Sequence, residues 1–184
     1  MTGLARSLLL RLRRRQDVPP GAQPIAYGRD ERVTGAAMLA VSVVELVAVH
    51  LLLPWPTVRL VLLVVSALGC VLLVALQADT AVRPHVLGGG ALRLRAGSAV
   101  DVGVPLDAIA GVALRRADAP RRVVLDGDVL ALGSGGQTQV ELALSRPLAV
   151  RAGRVGGTVQ VVRFSADDPL AALRAVRAGC EARR

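Results

Sequence analysis

At 184 residues, 53% of them hydrophobic, with mean hydropathy +0.51, the chain has room for one ordinary domain plus a modest extra segment. That apolar content is high for a soluble fold of this size and points to a part of the chain lying in lipid. The net charge of +9 is carried by arginine alone, since the chain contains neither lysine nor asparagine, which reflects a genome avoiding A-rich codons more than guanidinium chemistry. It divides as +4 over residues 1–32, −1 over 33–82 and +6 over 83–184, so no segment is a dense basic domain. With aromatics at 2% there is little to stack on bases, and the pattern argues against nucleic-acid binding.

The first 32 residues form a basic segment containing Arg6, Arg11, Arg13, Arg14, Arg15, Arg29 and Arg32. LARSLLLRLRRR at residues 4–15 mixes leucine with arginine and reads either as a short amphipathic helix on a membrane surface or as a basic tail that enforces topology. In the first case Arg11, Arg13, Arg14 and Arg15 are candidate contacts for lipid headgroups.

Two apolar runs follow, Val33 to Leu53 and Val58 to Leu76, each long enough to cross a hydrocarbon core of ~30 Å at ~1.5 Å per residue. Pro54, Trp55 and Pro56 separate them, and this composition predicts a tight turn at a membrane face, because proline ends the helix and tryptophan prefers the boundary. The first run starts too far into the chain and is too long for a cleaved signal, and a second run follows at once. The arginine excess before the first run predicts a hairpin in the plasma membrane with both termini in the cytoplasm.

Three residues in this hairpin form a candidate polar site. Glu45 stands near the middle of the first run, where an ionised carboxylate is costly, so it is expected to be protonated or paired. Folding about Trp55 brings it across from Ser66, whose hydroxyl is one candidate partner, with Arg59 as the other. Such a site either locks the two helices together or engages a proton or a partner helix. Small residues at Ala36, Ala40, Ser66, Gly69 and Cys70 allow close helix approach. Neither Cys70 nor Cys180 has a basic neighbour that would make it reactive, and both are expected as free thiols.

Residues 78–90, ending in Gly88-Gly89-Gly90, read as a linker, and residues 91–179 as a second, cytoplasmic domain before a five-residue tail. Its strands are marked by alternation at Leu92 to Arg95, Val100 to Val104 and Val140 to Leu144. Further runs at Ile109 to Leu114, Val123 to Leu125, Val129 to Leu132 and Thr158 to Phe164 bring the expected strands to about seven. Asp126-Gly127 predicts a two-residue hairpin turn, and the glycines at 133–136 and 153–157 longer ones. Asp168 and Pro169 predict the start of a final helix with an apolar stripe of Leu170, Leu173 and Val176, ending at Gly179.

The expected fold is therefore a membrane α-helical hairpin followed by an α+β domain. The stretches ALRLRAGSAVDVGVPLDAIAGVAL (91–114), VELALSRPLAV (140–150) and VVRFSADDPLAALRAV (161–176) resemble the pleckstrin-homology-like (PH-like) barrel, about seven antiparallel strands with a C-terminal helix. They look like the bacterial PH-like domains found behind a two-helix membrane anchor in actinobacteria. In relatives of this barrel, headgroup binding uses basic residues on the first two strands, and the resemblance makes Arg93 and Arg95 candidates for it, although the second strand supplies Asp101 and no base.

No catalytic constellation is apparent. The only histidines, His50 and His85, fall in the first apolar run and in the linker, and the glycine-rich turns lack the Lys and Ser/Thr of a phosphate loop. The acidic pairs Asp126/Asp128 and Asp167/Asp168 are explained by a turn and a helix start without a metal. The expectation is a non-enzymatic, membrane-tethered scaffold with no cofactor and no evident small-molecule substrate, whose partners are the lipid bilayer and another protein. Two alternatives stand beside it: an accessory subunit of a transporter or envelope complex acting through the hairpin, and a module binding anionic lipid.

Overall fold

The computed structural model describes residues 17–119, 122–153 and 155–183. The segment 4–15, with Arg11, Arg13, Arg14 and Arg15, lies outside the described residues.

Two long helices dominate the first half: α1 (Arg29–Leu52) and α2 (Pro56–Val82). Between them the backbone is extended at Leu53 and Trp55, and Pro56 occupies the first turn of α2, where its missing N–H costs nothing. The helices pack on each other along a seam with a 3/4 spacing. Gly35, Leu39, Ser42 and Leu46 of α1 are half-buried, as are Leu63, Ser66, Cys70 and Gln77 of α2, while the large aliphatic residues between them are exposed. Gly35 lets the helices approach closely there, since a Cβ would come within 2.7 Å of the Gln77 side chain and displace its end. Both helices are long and apolar enough to cross a membrane, and almost none of either apolar window is covered by protein. Neither is buried within this chain as the core helix of a soluble domain would be.

Helix formation runs past the apolar stretches. α1 begins four residues earlier than expected, at Arg29, and α2 continues six residues further, to Val82, because Ala78, Asp79, Thr80 and Val82 are buried against the sheet domain. What reads as a linker is thus structural. After α2 comes β2 (His85–Gly88), with His85, Val86 and Leu87 buried, and only Gly89-Gly90 forms a turn, both at positive φ.

The basic N-terminal segment also contributes to the fold. β1 (Gln23–Ile25) pairs antiparallel with β2, Ile25 opposite His85, so the sheet domain is assembled from residues on both sides of the hairpin. β3 (Ala91–Ala96) and β4 (Val100–Pro105) complete a four-stranded sheet in the order β1-β2-β3-β4. A 3-10 turn at Leu106–Ala108 leads to the second sheet, made of β5 (Ile109–Asp118), β6 (Val124–Asp126), β7 (Val129–Leu132), β8 (Gln137–Ala152) and β9 (Val155–Phe164). Its order is β5-β8-β9-β7-β6, and the two sheets do not close into one.

All seven expected strands are present, and β1 and β2 bring the total among the described residues to nine. One pairing departs from the antiparallel expectation. β7 runs parallel to β9, because β8 intervenes in the chain and β9 returns beside β7 in the same direction. β8 is far longer than the alternation at 140–144 implies. A register shift between Ala143 and Leu148, the stretch containing Pro147, bends it so that its second half continues along β9.

The last helix, α3 (Pro169–Glu181), is capped as expected, the Asp168 carboxylate accepting from Ala171 N–H at 2.9 Å. Its buried stripe is shifted from the expected one: Ala172 and Val176 face the core and Leu173 packs partly against it, while Leu170 is 54% exposed. The helix passes Gly179 without ending, and the glycine serves packing instead, a Cβ there meeting Leu106 and Leu87 at 3.3–3.6 Å. The core between the sheets and α3 is aliphatic, built from Leu92, Leu94, Val104, Leu130, Leu142 and Val162, with Phe164 at its largest point. Both cysteines are free thiols.

Candidate functional site

The polar chemistry of the chain concentrates where the hairpin joins the sheets. Of the three aromatic residues in the sequence, two are spent here around one histidine. Tyr27 stacks on His85 at 4.3 Å between ring centroids, and Phe164 meets the same imidazole edge-on at 5.4 Å. His85 Nδ1 accepts from the Arg95 backbone N–H at 2.9 Å, so Nε2 carries the proton and donates to the Ser165 carbonyl at 3.0 Å. Burial, reinforced by the Arg95 charge, lowers the His85 pKa from 6.5 to about 4, and the imidazole is neutral at physiological pH. Burial likewise raises the Tyr27 pKa, and the Tyr27 hydroxyl accepts from Gly97 N–H at 2.8 Å.

Each helix is bolted to the sheets at its base. For α1, Asp167 accepts from Arg29 N–H at 2.8 Å and pairs with Arg32 at 2.7 Å, while Arg32 also donates to the Tyr27 carbonyl. Glu31 pairs with Arg122 at 2.9 Å and accepts from Gly135 N–H at 3.2 Å. For α2, Asp79 accepts from both the backbone N–H and the hydroxyl of Ser98, at 2.7 and 3.0 Å, and lies 3.7 Å from Arg83. The β3–β4 turn approaches this closely because Gly97 has no Cβ: one placed there would collide with the Asp79 carboxylate, and φ is +59°.

The residues singled out in the sequence are placed differently from expectation. Glu45 is exposed on α1, off the seam, and among the described residues makes no hydrogen bond or ion pair. Ser66 sits half-buried within the seam and Arg59 near the turn, and neither meets Glu45. The 3/4 periodicity decides this: Ser42 and Leu46 occupy the seam, and Glu45 falls beside it. Ala36, Ala40 and Gly69 also face outward, leaving Gly35, Ser66 and Cys70 as the small residues that allow close packing.

Arg93 and Arg95 are not presented together. Arg95 is 7% exposed, covered by the N-terminal segment, and bonds to the Asp17 carbonyl at 2.6 Å and to the Asp101 carboxylate at 3.4 Å. Arg93 is on the surface but forms a two-pronged pair with the same Asp101, at 2.6 and 3.1 Å. Both cations are thus engaged by Asp101, the residue that departs from the headgroup-binding pattern, and Arg95 is unavailable to a lipid. The alternation that put both arginines on one outer face could not show that a segment 78 residues upstream lies over Arg95.

Two cavities flank the base of α1. One, of about 340 Å³, is lined by Gly28, Arg29 and Asp30 of α1's start, by Arg116, Ser134 and Gln139, and by the β9–α3 connection at Ser165–Asp167. The other, of about 470 Å³, opens between the two helices, with Met38, Leu73 and Leu76 at one end and Gln77, Thr80 and Arg122 at the other. No cluster of metal-ligating side chains occurs among the described residues.

Searches of protein-family models, curated proteins and solved structures return no match to this chain. What it does must be argued from its own geometry.

Proposed function

We propose that the chain is a non-enzymatic scaffold module anchored in the plasma membrane by its helical hairpin, with both termini cytoplasmic and a PH-like arrangement of sheets and C-terminal helix held at the inner leaflet. The observation that carries this reading is the way the hairpin is seated. The sheet is built from strands on either side of it, and the bases of both helices are fixed by Asp167, Glu31 and Asp79. A domain so fixed keeps one orientation to the bilayer, which suits the presentation of a constant surface to a protein partner and raises local concentration without new contacts. The uncovered aliphatic faces of α1 and α2 support lipid as their solvent.

The test has two stages. Full-length protein should remain in the membrane pellet after alkaline extraction, and a protease added to sealed inverted vesicles should reach the sheet domain. Cross-linking in intact membranes should then recover a defined partner with the native chain. That partner should be lost when the Asp167 and Glu31 attachments are removed together; recovery of no partner would sink the scaffold reading.

Glu45 favours a second reading, in which the hairpin itself engages another membrane protein. A carboxyl group facing outward from an apolar helix without an internal partner is costly in lipid and is relieved by a donor on a neighbouring helix. Replacing Glu45 by Gln separates the two readings: retained partner recovery makes the hairpin an anchor, and its loss makes Glu45 the contact.

A further inference from the structure

Four of the ten residues lining the smaller cavity beside α1 carry unused donors. Arg29 and Arg116, both on its wall, form no ion pair among the described residues. Ser134 Oγ is shielded from solvent and has no hydrogen-bond partner, and it lies where a Cβ on Gly28 would approach to 3.4 Å, beside the first turn of α1. Gln139 uses its Oε1 to accept from Ala166 N–H, which leaves the amide Nε2 as a donor. α1 starts here on the left-handed Gly28, and the first N–H of the helix, that of Arg29, is already taken by the Asp167 carboxylate.

The acceptors on the wall are largely spent. Both oxygens of Asp167 are occupied, by Arg29 N–H and by the Arg32 guanidinium, which leaves Asp30 at the rim against two unpaired guanidinium groups. With Asp167 neutralised by Arg32 from behind the wall, Arg29 and Arg116 stand against Asp30 alone, and this donor-rich arrangement selects a ligand rich in acceptor oxygens. At about 340 Å³ the cavity exceeds a bare inorganic ion and stands at the small end of ligand pockets, which begin near ~300 Å³. It also lies four residues before Val33, where the apolar run begins, about 6 Å along the helix.

We propose that this cavity binds a phosphate group carried on a small polar body of glycerophosphate size, supplied either by the headgroup of an inner-leaflet lipid or by a free phosphoester. Arg29 and Arg116 hold the phosphate oxygens, and Ser134 and Gln139 donate to the phosphate or its ester oxygens. The site itself does not depend on the scaffold reading. Only the lipid source rests on the membrane placement.

The experiment is a calorimetric titration of the full-length protein in an uncharged detergent, with glycerol 3-phosphate and inorganic phosphate as probes and glycerol as control. Saturable binding of glycerol 3-phosphate is expected, weakened about tenfold by Arg116→Ala and by Arg29→Ala. Ser134→Ala should weaken it by a smaller factor, and Arg146→Ala, on the far surface paired with Asp107, should leave it unchanged. Thermal melts of the same samples establish that the variants are folded.

Repeating the titration in nanodiscs identifies the source. If a lipid headgroup is the ligand, phosphatidic acid in the disc competes with glycerol 3-phosphate where phosphatidylcholine alone does not. If a free phosphoester is the ligand, the affinity is the same in both discs. The proposal is overturned if neither probe nor phosphatidic acid binds saturably up to millimolar concentration, or if binding survives the Arg29→Ala, Arg116→Ala double substitution.

Discussion

His85 gives the fold a defined acid sensitivity. Its folded pKa of about 4 lies below the 6.5 of the unfolded imidazole, so between those values the unfolded chain takes up a proton that the folded chain refuses. The stabilisation is therefore complete above about pH 6.5 and is lost as pH falls through the window toward 4. The separation corresponds to roughly 3 kcal/mol in full, of which about 2 kcal/mol is lost between pH 7 and pH 5. Protonation also removes the acceptor for the Arg95 N–H, so that amide should lose hydrogen-exchange protection before the rest of β3. The assay is denaturant unfolding of the full chain in detergent at pH 7 and pH 5, followed by β-sheet circular dichroism, beside His85→Gln, which does not titrate. His85→Gln is expected to be less stable at pH 7 and to lose about 2 kcal/mol less than the native chain on acidification. Equal losses in the two proteins would refute the assignment of this sensitivity to the buried imidazole.

Other consequences follow from the same junction. Residues 84–184 expressed alone should fold poorly, because they lack β1 and Tyr27 and leave His85 uncovered. Joining 17–28 to 83–184 through a short Gly/Ser linker should restore dispersed amide resonances. Gly97→Ala should cost roughly 2 kcal/mol or more, from the positive φ and the collision with Asp79 together, and is read from the thermal midpoint. Arg95→Ala should destabilise by about 1–2 kcal/mol, from the lost bond to the Asp17 carbonyl and the lost packing of its buried stem, since Asp101 is exposed and keeps Arg93. Arg93→Ala, which opens an exposed pair, should cost about 1 kcal/mol or less in the same measurement.

The parts of this fold legible in the sequence are those governed by local rules. Hydrophobic run length found both helices, alternation found three strands and short apolar runs four more, and Asp126-Gly127 and Asp168-Pro169 found a turn and a helix start, because each signal is written in neighbouring residues. β1 and β2 escaped because three or four residues such as Gln23–Ile25 carry no periodicity of their own and become strands only through their neighbours, β1 on β2 and β2 on both β1 and β3. The junction escaped for a related reason. Asp167 meets Arg32 across 135 residues and Tyr27 meets Gly97 across 70, and such pairings leave no local trace. One usable signal was scarcity: in a chain with a single Tyr and a single Phe, their positions mark where large flat surfaces are buried. The outward placement of Glu45 was legible in principle, since Ser42, Leu46 and Val49 keep the seam spacing that Glu45 breaks.

The discontinuity of the sheet ties the two halves of the molecule mechanically. β1 reaches its partner only after the chain has run out along α1 and back along α2, and Ile25 then pairs with His85. The register of that pair is thus set jointly by the hairpin and by the sheet. Sliding α1 along α2 by one helical turn, about 5.4 Å, would carry Gly28 and Arg29 away from Asp167 and Ser134 and would pull Tyr27 off the imidazole. A ligand in the cavity at the base of α1 opposes that slide, since its wall is drawn from α1 on one side and from β5, β8 and the β9–α3 connection on the other. Binding there and pairing of β1 with β2 should consequently reinforce each other, by equal factors in both directions.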